Sequence, residues 1–150
     1  MPVTRVSPKE AQDLLARGYR YVDVRSIPEY EAGHPVGAYN LPLMHFAPGR
    51  GMSPNPDFAA VFEKHFAKTD ELIVGCKTGN RSLRAAELLA GMGYTAVVDM
   101  RGGFEGERDA LGRTACAGWK ECALPIEQAA GEGKSYAELS SESKGPVAVV

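Results

Sequence analysis

Two short runs in this chain, Leu72-Ile73-Val74 and Ala96-Val97-Val98, are apolar at every position. A strand with one wet face alternates apolar and polar residues, whereas a strand apolar throughout is buried on both sides. Such strands need a covering layer on each face, and helical patterns stand between them. Ser7-Pro8-Lys9-Glu10 is a capping box with proline at the first helical position. Ala11, Leu14, Leu15 and Gly18 follow at helical spacing. Phe58, Val61, Phe62, His65 and Phe66 share a second helical face, with Asn55 and Pro56 at its start. A third helix runs from Arg81 through Ala85, Leu88, Leu89 and Met92 to a glycine stop at Gly93. Residues 3–6, 19–24 and 39–41 read as further strands, and residues 28–32 as a helical turn closed by Gly33. Strands alternating with helices imply crossover connections, hence an α/β fold on a parallel sheet.

The remaining segments carry weaker signals. Residues 42–56 hold Pro, Gly, Met and Ser without a period and read as a long loop, with Met44, His45 and Phe46 as one pocket wall. Residues 101–104 form a turn, and residues 115–123 a last helix stopped by Pro125, with Trp119 in the core. Residues 1–129 are expected to form the domain. Residues 130–150, small and polar, read as a flexible tail, with 146–150 as a docking piece.

Composition narrows the function. Seventeen Lys+Arg stand against nineteen Asp+Glu, a net charge of −2. Without a basic excess, nucleic acid is not an expected partner. No apolar run reaches the ~18 residues of a membrane span, and no secretory signal is visible, so no membrane partner is expected. Three cysteines, Cys76, Cys116 and Cys122, are too few for a disulfide scaffold and point to a reducing, cytoplasmic setting. His34, His45 and His65 show no ligand spacing, so neither metal nor cofactor is expected.

Ligands in open α/β folds sit beyond the carboxyl ends of the strands. There the sequence reads Gly75-Cys76-Lys77-Thr78-Gly79-Asn80-Arg81-Ser82. A cysteine ends a buried strand, and an arginine opens a helix five positions later. The small and polar residues between can turn backbone N–H groups inward, and the helix start adds free donors and a positive dipole end. These donors, with Lys77 and Arg81, favour an anionic Cys76, and the thiolate is the nucleophilic form.

The loop Cys76-Lys77-Thr78-Gly79-Asn80-Arg81-Ser82 resembles the active-site loop of the rhodanese-like sulfurtransferases. Tyr21-Val22-Asp23-Val24-Arg25 resembles the first signature of that family. Glu29 and Gly33-His34-Pro35-Val36-Gly37-Ala38-Tyr39-Asn40-Leu41-Pro42 resemble the second, with Pro35-Val36 where Ile-Pro is usual. Gly93-Tyr94, Arg101-Gly102-Gly103-Phe104 and Gly118-Trp119 are similar to later segments. The resemblance implies a three-layer α/β/α sandwich on a central, mainly parallel five-stranded sheet. It implies a persulfide-forming Cys76 that takes sulfur from a small donor anion such as thiosulfate and passes it to cyanide, a thiol or a protein. Lys77, Thr78, Gly79, Asn80, Arg81 and Ser82 would bind the anion, with Asp23 and Arg25 supporting the loop. His34 is expected to make a structural hydrogen bond, and Arg101 either reaches the pocket mouth or is solvated. Two other readings compete. One is a non-catalytic binding or regulatory module. The other is a cysteine-dependent phosphatase or arsenate reductase, ranked lower because the four residues between Cys76 and Arg81 leave a ring narrow for phosphate. A role for Cys116 or Cys122 in resolving an oxidised Cys76 is disfavoured.

Overall fold

The structure is a computed structural model that describes residues 3–144. The order of elements is β1 (Arg5–Val6), α1 (Pro8–Ala16), β2 (Arg20–Asp23), α2 (Ile27–Ala32), β3 (His34–Pro35), β4 (Tyr39–Asn40), β5 (Met44–Ala47), β6 (Gly51–Pro54), α3 (Phe58–His65), β7 (Leu72–Gly75), α4 (Asn80–Gly91), β8 (Val97–Met100), β9 (Glu107–Arg108), β10 (Thr114–Cys116), β11 (Ile126–Glu127) and α5 (Tyr136–Lys144). Helix α1 starts as its sequence dictates. The Ser7 Oγ accepts the Glu10 amide at 3.2 Å, and the Ser7 amide donates to the Glu10 carboxylate at 2.8 Å.

Five strands form the central sheet in the order β1-β8-β7-β2-β4. Every pairing in it is parallel. The sheet alternates its side chains between two cores. Val22, Leu72 and Val74 face a cluster with Phe58, Phe62, Ala85 and Leu89 from α3 and α4. Tyr21 and Ile73 face the opposite cluster with Ala11 of α1, Tyr30 of α2 and Trp119. Each fully buried aliphatic side chain contributes roughly 1.5–3 kcal/mol, so this two-sided burial dominates the energetics. The fold is the expected α/β sandwich on a parallel five-stranded sheet.

Three segments depart from the sequence reading. The 42–56 loop contains an antiparallel hairpin, β5 with β6. Its turn is Ala47-Pro48-Gly49-Arg50, where the Arg50 amide donates to the Ala47 carbonyl at 2.9 Å and Gly49 takes φ +82°. Proline followed by a left-handed glycine is a type II turn signal. Residues 115–123 are not a helix. Thr114–Cys116 pairs with Glu107–Arg108, and the chain then turns so that Trp119 donates its amide to the Gly103 carbonyl at 2.9 Å. Gly118 abuts the backbone of Gly106, an approach that any side chain would block. Finally, residues 136–144 are helical where a flexible tail was expected, and Tyr136 and Leu139 are buried against the core around α3. The expected docking piece, 146–150, lies outside the described residues.

Candidate active site

Cys76 follows β7 at the carboxyl edge of the central sheet and is buried, at 1% exposure. Its Sγ accepts the Gly79 amide at 3.1 Å. The loop can close this tightly because Gly79 has φ +109°, in the left-handed region, as the residue capping α4. A side chain at Gly79 would also press on Arg5 and the Gly102 backbone. One residue upstream, a side chain at Gly75 would collide with the Tyr21 hydroxyl.

A second segment holds the loop from behind. The Phe104 amide donates to the Cys76 carbonyl and the Glu105 amide to the Lys77 carbonyl, both at 2.8 Å. This contact needs Gly103. It has φ +63°, and an added Cβ would lie 2.5 Å from the Lys77 oxygen and 2.7 Å from that of Cys76. The Gly103-Phe104-Glu105 stretch is therefore a backbone clip on the cysteine loop.

Asp23 and Arg25 form a buried, forked ion pair. Arg25 Nη2 donates to Asp23 Oδ2 at 2.7 Å and to the Gly33 carbonyl at 2.6 Å, and Nε donates to Asp23 Oδ1 at 3.0 Å. The Arg25 guanidinium lies over the Phe104 ring at 4.4 Å, which links the pair to the clip. Asn40 ties the ends of β4 and β2 together, its Nδ2 donating to the Asp23 and Arg25 carbonyls at 3.0 and 3.1 Å.

Arg81, expected to bind the anion, is held in an ion pair. Its Nη1 and Nη2 donate to the Glu29 carboxylate at 2.7 and 2.9 Å. Burial pushes the Glu29 carboxyl up, but the bonds from Arg81 and Ser26 outweigh it and hold the group at about 2. Ser26 and Glu29 also cap α2 through a Ser-x-x-Glu spacing. Arg81 remains close enough to Cys76 for the two to be coupled electrostatically.

The other expected residues are distributed as follows. Ser82 is fully buried at the first turn of α4; Thr78 is half-buried; Lys77 and Asn80 are exposed. Lys77 makes no ion pair among the described residues. It lines a cleft of about 220 Å³ with Arg25, Glu29, Phe104, Glu105 and Lys120. Lys120 was not singled out by the sequence reading. Met44 lines a separate groove of about 440 Å³ with Arg84 and Leu88. Phe46 is exposed and His45 sits on Tyr136, so no wall of three forms. His34 is wholly buried, with Nδ1 2.8 Å from the Tyr30 carbonyl, the structural role expected of it. Arg101 is solvated and paired with Glu107. Trp119 is in the core, with Nε1 donating to the Pro125 carbonyl at 2.8 Å. Cys116 lies in β10 and Cys122 in the turn after it, and both are free thiols. Among the described residues no His/Cys/Asp/Glu cluster could hold a metal ion, and no helix is long and apolar enough to cross a membrane.

Known proteins are similar to this chain in sequence and fold. Thiosulfate sulfurtransferase 16, chloroplastic, from Arabidopsis thaliana is 46% identical over 99 residues, covering 66% of this chain and 82% of that protein. Rhodanese-like domain-containing protein 15, chloroplastic, from the same plant is 38% identical over 125 residues. That match takes in 83% of this chain, yet the chain spans only 62% of the relative's length. The crystal structure of Rv0390 from M. tuberculosis superposes with a TM-score of 0.71 at 27% identity, covering 86% of this chain and all of that one. Residues 7–109, from the α1 cap past the Gly103-Phe104-Glu105 clip, match the Rhodanese-like domain family. With a cysteine loop, a buried Asp-x-Arg pair and a glycine clip all inside the matched span, the chain belongs to the rhodanese-like domain family.

Proposed function

We propose that the chain is a sulfurtransferase that carries sulfane sulfur on Cys76. The observation that carries this reading is the Cys76 sulfur itself, buried at the end of β7 with the Gly79 N–H aimed at it from 3.1 Å. A fixed dipole directed at Sγ stabilises negative charge there, on the thiolate that attacks the donor and on the thiolate that departs when the sulfur is passed on.

With thiosulfate as donor, the Cys76 thiolate attacks the outer sulfur. A new S–S bond forms, the S–S bond of thiosulfate breaks, and its electron pair leaves with sulfite. An acceptor thiolate or cyanide then attacks the outer sulfur of the persulfide, and Cys76 departs as the thiolate. The two half-reactions need no metal and no redox partner. Lys77, which makes no ion pair among the described residues and lines the cleft beside Cys76, is the residue we assign to the donor's sulfonate, with Lys120 across the cleft. Arg81 acts less directly than its position suggests, because Glu29 already neutralises it. A reducing compartment suits the scheme, since all three cysteines are free thiols.

The test is mass spectrometry after incubation with thiosulfate. Growth by one sulfur atom is expected on the Cys76 peptide and absent in Cys76→Ser. Cys116→Ser and Cys122→Ser should load as wild type does. A folded protein whose Cys76 alkylates readily yet gains no sulfur from thiosulfate or a persulfide donor would instead be a binding module.

A further inference from the structure

Arg5 lies at the edge of the central sheet, 74 residues from the loop glycine that it touches. The parallel register of β1 and β8 sets Arg5 directly opposite Asp99. Arg5 Nε donates to Asp99 Oδ2 at 2.7 Å, and Asp99 is fully buried. The other arm of the same guanidinium, Nη2, donates to the Gly79 carbonyl at 3.2 Å. Gly79 is the residue whose amide meets the Cys76 sulfur. Both polar ends of this one residue are thus held, the N–H by sulfur and the C=O by Arg5.

We infer that Arg5, aligned by Asp99, is a positioning residue for Cys76: it fixes the rotation of Gly79 and so keeps the Gly79 N–H on the sulfur. Glycine in the left-handed region is conformationally permissive, so a residue there needs external restraint to stay in one orientation. Within α4 the Leu83 amide reaches the Gly79 carbonyl at 3.3 Å and the Ser82 hydroxyl at 3.4 Å, so both bonds move with the helix. The Arg5 bond, at 3.2 Å, is anchored outside it, on the sheet. Asp99 supplies the anchor. Burial pushes its carboxyl up, and the bond and charge of Arg5 oppose that shift. Arg81 on α4 and Tyr21 on β2 are further titratable groups coupled to Cys76, and neither touches Gly79.

The inference deepens the proposed role of Cys76 and rests on it, but its test reads Cys76 directly rather than sulfur transfer. The rate of iodoacetamide modification at the Cys76 peptide is followed across pH, with thermal melting to establish folding. Arg5→Lys keeps the charge but cannot reach both partners with one planar fork. Arg5→Met combined with Asp99→Asn removes the anchor without leaving a buried charge unpaired. Both variants should move the pH profile upward and slow modification near neutral pH roughly 3- to 10-fold, the effect of weakening one hydrogen bond. Arg101→Ala removes a neighbouring exposed cation that does not touch the Gly79 carbonyl, and its profile should match wild type. Profiles of folded Arg5 variants that superimpose on wild type overturn the inference. So does an equal shift in Arg101→Ala, which would mark a field effect rather than positioning. If the wild type takes up no sulfur but the Arg5 variants still shift the profile, the sulfurtransferase reading fails and the positioning role stands.

Discussion

Two irregular segments beyond strand ends differ sharply in how they are held. The Cys76 loop is fixed from outside itself. Phe104 and Glu105 donate to its carbonyls, Arg5 reaches Gly79, and Glu29 takes Arg81. The hairpin of β5 and β6 is held largely by its own ladder and turn, and β6 is exposed along its whole length. One segment is defined by contacts distant in sequence, the other by local ones. Precise placement of a reactive atom requires the first arrangement, because a loop restrained only by its own bonds fluctuates with the loop.

The largest effect should come from the same substitution made in both places. Gly103 and Gly49 both have positive φ, at +63° and +82°. An added Cβ at Gly103 strikes the Lys77 and Cys76 carbonyls, whereas at Gly49 it meets nothing within 4 Å. Gly49→Ala should cost only backbone strain, about 1 kcal/mol. Gly103→Ala adds a clash with backbone that cannot swing aside, for a total of about 3 kcal/mol or more. It should also depress sulfur loading on Cys76 at temperatures where the fold persists. Urea unfolding and mass spectrometry check both, and equal costs at the two glycines would erase the distinction between the segments.

The same contrast explains what could be read from the sequence. The sheet was legible because burial on both faces writes a local pattern, as in Leu72-Ile73-Val74. The cysteine loop was legible because its residues are consecutive. Asp23 and Arg25 were expected as supports only through the family resemblance, and the pairings that hold the loop were not legible. Arg5 meets Asp99 across 94 residues and Arg81 meets Glu29 across 52, and no local periodicity encodes either pair. The pairing of Arg81 was hidden for this reason, since a lone arginine at a helix start looks free until its partner folds onto it. Among the described side chains, helix α5 buries the apolar residues Tyr136 and Leu139, too few to mark a core-facing stripe. What orders it is tertiary: Asn55 Nδ2 donates to the Tyr136 hydroxyl at 3.1 Å, and His65 Nε2 lies 2.8 Å from the Leu139 carbonyl. The hairpin did carry a signal in Pro48-Gly49, but its strands lack the alternation that would have identified them.

An intermediate effect is expected at Glu29, where pH separates charge from packing. Its folded carboxyl sits at about 2 against an ordinary value of 4.5. A depressed carboxyl contributes stability that is present above about 4.5 and lost as pH falls toward 2. Glu29→Gln keeps the shape and can still accept from Ser26, but it gives up the charged fork to Arg81. The variant should be less stable than wild type at pH 7 by on the order of 2 kcal/mol, allowing for screening at a half-buried site. The gap should narrow steadily in denaturation curves taken from pH 5 down to pH 3. A gap that stays constant with pH would mean that Arg81 is held by packing rather than by the ion pair.

The smallest effect belongs to the hairpin face. Phe46 and Met52 are opposite one another in the ladder and are 45% and 40% exposed. Phe46→Ser removes part of a cross-strand pair, and such pairs contribute roughly 0.2–1 kcal/mol in sheets. Exposed positions away from special features usually fall within about 0.5 kcal/mol, so the unfolding midpoint should barely move. Sulfur loading at Cys76 should be unchanged with thiosulfate, because among the described residues no hydrogen bond or ion pair joins residues 76–82 to residues 44–54; beyond the loop, on α4, Arg84 Nη2 donates to the Met44 sulfur at 3.7 Å. That contact makes the comparison sharper still. Met44→Ala touches α4 one turn beyond the loop and tests whether the hairpin is coupled to the site at all. If the segments are as independent as their restraints indicate, Met44→Ala and Phe46→Ser load sulfur at the same rate. A selective slowing in Met44→Ala would show that the hairpin braces α4.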